Sequence, residues 1–135
     1  MQKQQHTLFV CTTCASVWQN GKPVGESGGQ KLLQQLQQLA HTWELHNQFS
    51  IQEVKCMSAC SHACVISLQG EEKFTYLFGN LADDSASTIL ECATQYHNHS
   101  QGLLPYSQRP KPLKSGILAK IPPLSKWAKL TSNCC

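Results

Sequence analysis

The chain has 135 residues, 41% of them hydrophobic and 14% charged, with a net charge of +3 at neutral pH. That length fits one domain, or a small domain with an extension, and nothing approaches the roughly 20 apolar residues that a membrane span needs. The opening MQKQQHTLFV carries one lysine and an apolar run too short for a signal peptide, so a cytoplasmic protein without stable membrane insertion is expected.

Charge is unevenly distributed. Residues 1–100 hold all eight acids and five of the eleven Lys and Arg, whereas residues 101–135 hold six bases and no acid. The bases are sparse and not interleaved with a row of aromatics, which argues against nucleic-acid binding. Such a segment is suited to steering the protein toward an acidic partner. The eight cysteines carry more information. Structural disulfides are rare in the cytoplasm, so clustered thiols there point to metal or redox chemistry.

Residues 7–10 form a short apolar run, read as a buried strand that ends at Cys11. Residues 12–29 are punctuated by Gly21, Pro23, Gly25, Gly28 and Gly29 and are expected to form a loop. From Gln30 the period becomes helical: Leu32, Leu33, Leu36, Leu39, Ala40 and Trp43 share a face, and Ser27 is the expected cap. Residues 51–55 are predicted as a strand. The apolar runs 65–68 and 74–78, separated by the polar turn 69–73, predict a hairpin. Asp83 or Asp84 is then expected to cap a second helix that buries Ala86, Ile89, Leu90, Ala93 and Tyr96.

The predicted order is β-α-β-β-β-α, an α/β arrangement with one mixed sheet and helices packed on it. Residues 1–100 form this domain. Residues 101–135 contain five of the six prolines and are read as a basic, extended C-terminal tail, too short and proline-rich to bury a core. Within it, residues 117–121 are apolar enough to lie on the body.

In this order the first two strands are parallel neighbours, so the turns after them leave the same edge of the sheet. One carries Cys11 and Cys14, the other Cys56 and Cys60. Four thiols from two adjacent turns are what a tetrahedral metal or a two-iron cluster requires, since iron–sulfur clusters and zinc both favour thiolate. The even spacing of Cys56, Cys60 and Cys64 would also suit one face of a helix. Only about eight residues separate the flanking strands, however, and so short a helix is marginal. Cys64 is therefore read as a buried residue opening the next strand, Cys92 as a packing residue on the second helix, and Cys134-Cys135 as an unstructured end. Ser58, Ser61 and the amides of residues 57–62 are candidate donors to sulfur. His62 is the one side chain there able to replace a thiol or take up a proton.

Two other readings compete. A zinc site, structural or metal-handling, fits the spacing. A thiol–disulfide oxidoreductase would use the CTTC motif after the first strand. Against the latter, a glycine-rich loop separates Cys14 from the helix that should stabilise its thiolate, and no proline precedes Val65.

The element order resembles the thioredoxin-like fold. With the cysteines, it resembles the thioredoxin-like 2Fe-2S ferredoxins, which carry two ligands after the first strand and a C-x-x-x-C pair after the second. Cys56-Met57-Ser58-Ala59-Cys60 matches that pair; the first pair is more closely spaced here, and Ala63-Cys64 stands where that family has Gly-Pro. VCTTC, CMSACSHACVISLQG, FTYLFG and RPKPLKSGILAKIPP together resemble, over nearly the whole chain, a bacterial family of uncharacterised, predicted metal-binding proteins. The ferredoxin resemblance implies an electron carrier rather than an enzyme. A 2Fe-2S cluster would be held by Cys11, Cys14, Cys56 and Cys60, with zinc as the alternative. It also implies redox partner proteins as contacts, with homodimerisation left open.

Overall fold

The computed structural model describes residues 6–13, 17–25, 27–58 and 62–123. Its first strand, β1 (His6–Cys11), alternates in burial as a strand with two unlike faces should. Leu8 and Val10 are fully buried on the side facing the helices. A two-stranded ribbon follows, β2 (Val17–Gln19) and β3 (Lys22–Val24). Helix α1 (Gly28–Ala40) then leads to β4 (Phe49–Val54). The hairpin β5 (Ile66–Gly70) and β6 (Thr75–Phe78) precedes α2 (Ala86–Asn98). The short helix α3 (Lys111–Ser115) and strand β7 (Ile117–Ile121) complete the described fold.

Five strands form one sheet in the order β4-β1-β5-β6-β7. β1 and β4 run parallel, as the crossover through α1 requires, and every other neighbouring pair is antiparallel. α1 and α2 pack against each other and cover one face. Leu32 and Leu36 of α1 meet Ile89, Ala93 and Tyr96 of α2 in a core continuous with Leu8, Val10, Ile66 and Phe78. Each such aliphatic side chain, fully buried, contributes about 2 kcal/mol. A smaller apolar cluster lies apart from that core, where Cys11 and Val65 pack with Met57, Ala63 and Leu77. The two-residue period of the strands therefore sends Val10 and Cys11 into different clusters.

Ser27 caps α1 as expected, and more completely. Its hydroxyl accepts the Gln30 amide at 3.0 Å, while the Gln30 side chain accepts the Ser27 amide at 2.9 Å, a reciprocal capping box. Three local expectations need correction. Residues 17–24 are not simply loop: Asn20 and Gly21 both have positive φ, 51° and 76°, and turn β2 back on β3. The second helix takes Ser85, not Asp83 or Asp84, at its cap position, with no side-chain capping bond. Cys64 does not open β5, which begins two residues later, although its backbone exchanges bonds with Leu81 at 3.0 and 3.3 Å. Residues 117–121 do lie on the body, as a strand hydrogen-bonded to β6.

Candidate metal centre

The parallel register pairs Cys11 with Val54, and the ladder continues beyond both strands. The Thr12 amide donates to the Val54 carbonyl at 2.9 Å and the Thr13 amide to the Lys55 carbonyl at 3.2 Å. The Thr13 hydroxyl also donates to Lys55 O, and the Thr12 hydroxyl to Val54 O at 3.4 Å. On the far side of β1, the Cys11 amide bonds the Val65 carbonyl at 3.0 Å. The turn after Cys11 is thus fastened to the turn that carries Cys56, as the sequence placed them.

The two thiols sit at different depths. Cys11 is 1% exposed, with its Sγ 3.7 Å from the Lys55 carbonyl and 3.9 Å from the Thr13 hydroxyl. Cys56 is exposed, and its Sγ accepts the Ser58 amide at 3.3 Å, one of the donors expected from sequence. His62 is also exposed, and the Asn80 side-chain amide donates to its Nδ1 at 3.3 Å. Cys14, Cys60 and Ser61 lie outside the described residues, as do Cys134 and Cys135. Among the described residues, no group of three or more His, Cys, Asp or Glu side chains converges as a metal site.

Cys64 and Cys92 belong to the main core. Cys64 is 3% exposed. Burial pushes its thiol above the usual range, with Asp83 and Cys11 acting the same way. Cys92 is fully buried on α2, and desolvation pushes it up to about 12. Thiols held neutral in this way are packing groups rather than ready thiolates.

The start of α1 is locked to the same turn. The Ser27 hydroxyl donates to the Thr12 carbonyl, and Gly29 lies against the backbone at Cys11. A Cβ at Gly29 would overlap the Cys11 carbonyl oxygen, with Thr12 Cα 3.1 Å away. The many residues between Cys14 and α1 therefore do not carry the helix away: the chain doubles through the β2–β3 ribbon and returns to β1. In the sequence Gly29 reads only as loop punctuation, although a glycine beside a helix cap permits such close approach. Gly29→Ala is expected to destabilise the protein by about 3 kcal/mol, read as a lower urea midpoint at unchanged slope.

A family model described as "Protein of unknown function (DUF1636)" matches residues 8–123. The chain belongs to this family. No curated protein matches it. A thioredoxin-like [2Fe-2S] ferredoxin from Aquifex aeolicus superposes on this member of the family with a TM-score of 0.56 at 17% identity, over 87% of this chain and 94% of that one. A wild-type structure of a thioredoxin-like [2Fe-2S] ferredoxin from the same organism gives 0.51 at 19% identity, over 75% and 96%. The fold is therefore thioredoxin-like, as the element order implied. No helix among the described residues is long and apolar enough to cross a membrane.

Proposed function

We propose that this protein is a small cytoplasmic electron carrier, not an enzyme, whose Cys11, Cys14, Cys56 and Cys60 hold a 2Fe-2S cluster. One observation carries the reading. The parallel β1–β4 pair ends in two cysteine-bearing turns fastened to each other by the Thr12 and Thr13 amides. The solved structures that share the fold are named as [2Fe-2S] ferredoxins, which supports the same reading.

The described donors fit such a group. Cys11 and Cys56 offer soft thiolate ligands, and Cys56 Sγ accepts a hydrogen bond from the Ser58 amide, which stabilises a thiolate more than a thiol. The Lys55 carbonyl lies near the Cys11 sulfur, but the Thr13 amide and hydroxyl both bond it. Those bonds temper its repulsion of a thiolate. Cys11 would hold the group from the buried side and Cys56 from the solvent side. His62, in the loop that follows Cys56, is held on the exposed side by the Asn80 amide. When bound, the cluster would accept and release single electrons, with a potential tuned by hydrogen bonds to sulfur and by exposure.

The test is metal content. Protein purified without oxygen is expected to hold about two irons and two inorganic sulfides per chain, to be red-brown, and to give an EPR signal when reduced. A colourless protein with about one zinc would replace this reading with a zinc-binding one. Insulin reduction lost on Cys11→Ser alone would identify a thiol–disulfide enzyme.

A further inference from the structure

The segment after α2 builds a cationic surface that the cysteine site does not use. A 3-10 turn, Tyr106–Gln108, is tied to α2 by the Gln95 side-chain amide, which donates to the Gln108 carbonyl at 2.8 Å. α3 is pinned by Leu113, which is fully buried. Between these anchors Tyr106 is left 64% exposed. Arg109 Cζ lies 5.5 Å and Lys114 Nζ 5.4 Å from the centre of its ring. Lys111 is exposed one helical turn before Lys114. No carboxylate pairs with Arg109, Lys111 or Lys114 among the described residues, and residues 101–135 contain no acid to do so. Arg109 and Lys114 are half-buried, Arg109 also donating to the Leu113 carbonyl at 3.3 Å, and together they flank the exposed ring with positive charge suited to an anion.

This surface is also linked to the cysteine end of the sheet. Gly116, directly after α3, accepts the Gly79 amide at 2.7 Å. A Cβ at Gly79 would come within 2.7 Å of both the His62 carbonyl oxygen and Leu118 Cδ1. The chain from α3 therefore passes against His62, in the loop that follows Cys56.

We propose that Tyr106, Arg109, Lys111 and Lys114 dock a carboxylate-rich patch on the protein with which this carrier exchanges electrons, an assignment that rests on the function proposed above. The carboxylates pair with the three cations, and the Tyr106 ring supplies the apolar, orienting contact that such interfaces draw from aromatics. A single aromatic and three cations are too few for a nucleic-acid track, so an acidic protein surface is the occupant.

The test uses the full-length protein and a synthetic peptide of about eight residues, mostly glutamate with a central leucine, followed by amide chemical shifts. Shifts centred on residues 106–114 are expected, weakening about tenfold when salt rises from about 20 to 200 mM, because the Debye length shortens. Lys114→Glu is expected to weaken binding about tenfold and Tyr106→Ala about threefold, the equivalent of roughly 1.4 and 0.6 kcal/mol. Tyr106 is exposed and Lys114 half-buried, and neither belongs to an apolar core cluster, so neither change opens the core. Equal binding by both variants, shifts centred elsewhere, or tighter binding of a short single-stranded DNA or of inorganic phosphate would overturn the proposal. The shifts do not depend on metal. Colourless protein that still binds the peptide would remove the electron-carrier reading and leave the acidic docking site. Iron-loaded protein that ignores the peptide would do the reverse.

Discussion

Cys56→Ser is expected to give a folded protein that has lost its visible absorption and most of its iron. The side chain is exposed, so the substitution removes a proposed ligand without opening a cavity, and the urea midpoint of metal-free protein should stay within about 0.5 kcal/mol of the parent. Cys11→Ser should bleach the protein as well, with a stability loss of about 1–2 kcal/mol, because a hydroxyl replaces a buried sulfur in an apolar cluster. Cys64→Ser and Cys92→Ser should show the opposite pattern: colour retained, and about 1–3 kcal/mol of stability lost, since both lie in the main core. Absorbance, iron content and urea denaturation on the four variants separate ligands from packing residues. Colour lost with Cys64 and kept with Cys56 would overturn the ligand set.

The second large effect concerns acid stability. His6 opens β1 and is 5% exposed, with the ring centres of His97, Phe49 and Tyr96 at 4.9, 5.1 and 6.1 Å. Neither ring nitrogen has a well-formed hydrogen bond. Lys73 is held close by, its Nζ donating to the carbonyls of Tyr96 and His97 at 3.2 and 2.9 Å. Burial lowers the His6 pKa to about 4, with Lys73 and His97 adding to the shift and the Gln48 backbone opposing it. The unfolded chain binds this proton near its ordinary value, before the folded one does. The contribution of His6 is therefore complete above about pH 6.5 and is lost as pH falls toward about 4, an effect on the order of 2 kcal/mol. His6→Phe should be as stable as the parent at neutral pH or slightly more so, because it removes two buried nitrogens that lack a well-formed hydrogen bond. It should also lose this part of the acid dependence. Urea midpoints for both proteins at several pH values check it, and parallel curves would show that His6 does not carry the effect.

The fold was legible where the pattern had a period. Leu8 and Val10, Ile66 and Leu68, and the helical spacing of Leu32 with Leu36 all declared their buried face, and the order of elements followed. The β2–β3 ribbon was hidden by its own punctuation. Five Gly and Pro in residues 21–29 read as loop, while the Asn20-Gly21 dipeptide among them was the turn signal that should have counted more. At the second helix, Asp83, Asp84 and Ser85 are all competent caps, and which one is used depends on where the chain leaves Leu81, a tertiary matter. Trp43 fits the helical period of α1 but lies beyond its end. It is placed by its Nε1 bond to Thr94 Oγ1 at 3.1 Å and by the Phe49 ring 5.1 Å away, and no local pattern encodes either contact. For the site, the adjacency of the two cysteine turns was readable from strand order alone. The part played by Gly29 and by the threonine–carbonyl bonds depends on register and close approach, which appear only once the strands are paired.

The parallel pairing of β1 with β4 also has a kinetic meaning. The residues it joins lie 43 positions apart, and a contact of that span forms only after the intervening helix has crossed over and the loop-closure entropy has been met. A nascent or unfolded chain thus holds its thiols as two distant pairs, neither able to enclose an ion alone. On the proposed ligand set, loading must accompany or follow folding, and whatever free energy the ligands gain on binding adds directly to the stability of the native state. The protein would be least stable, and most open to proteolysis, in the interval between synthesis and loading.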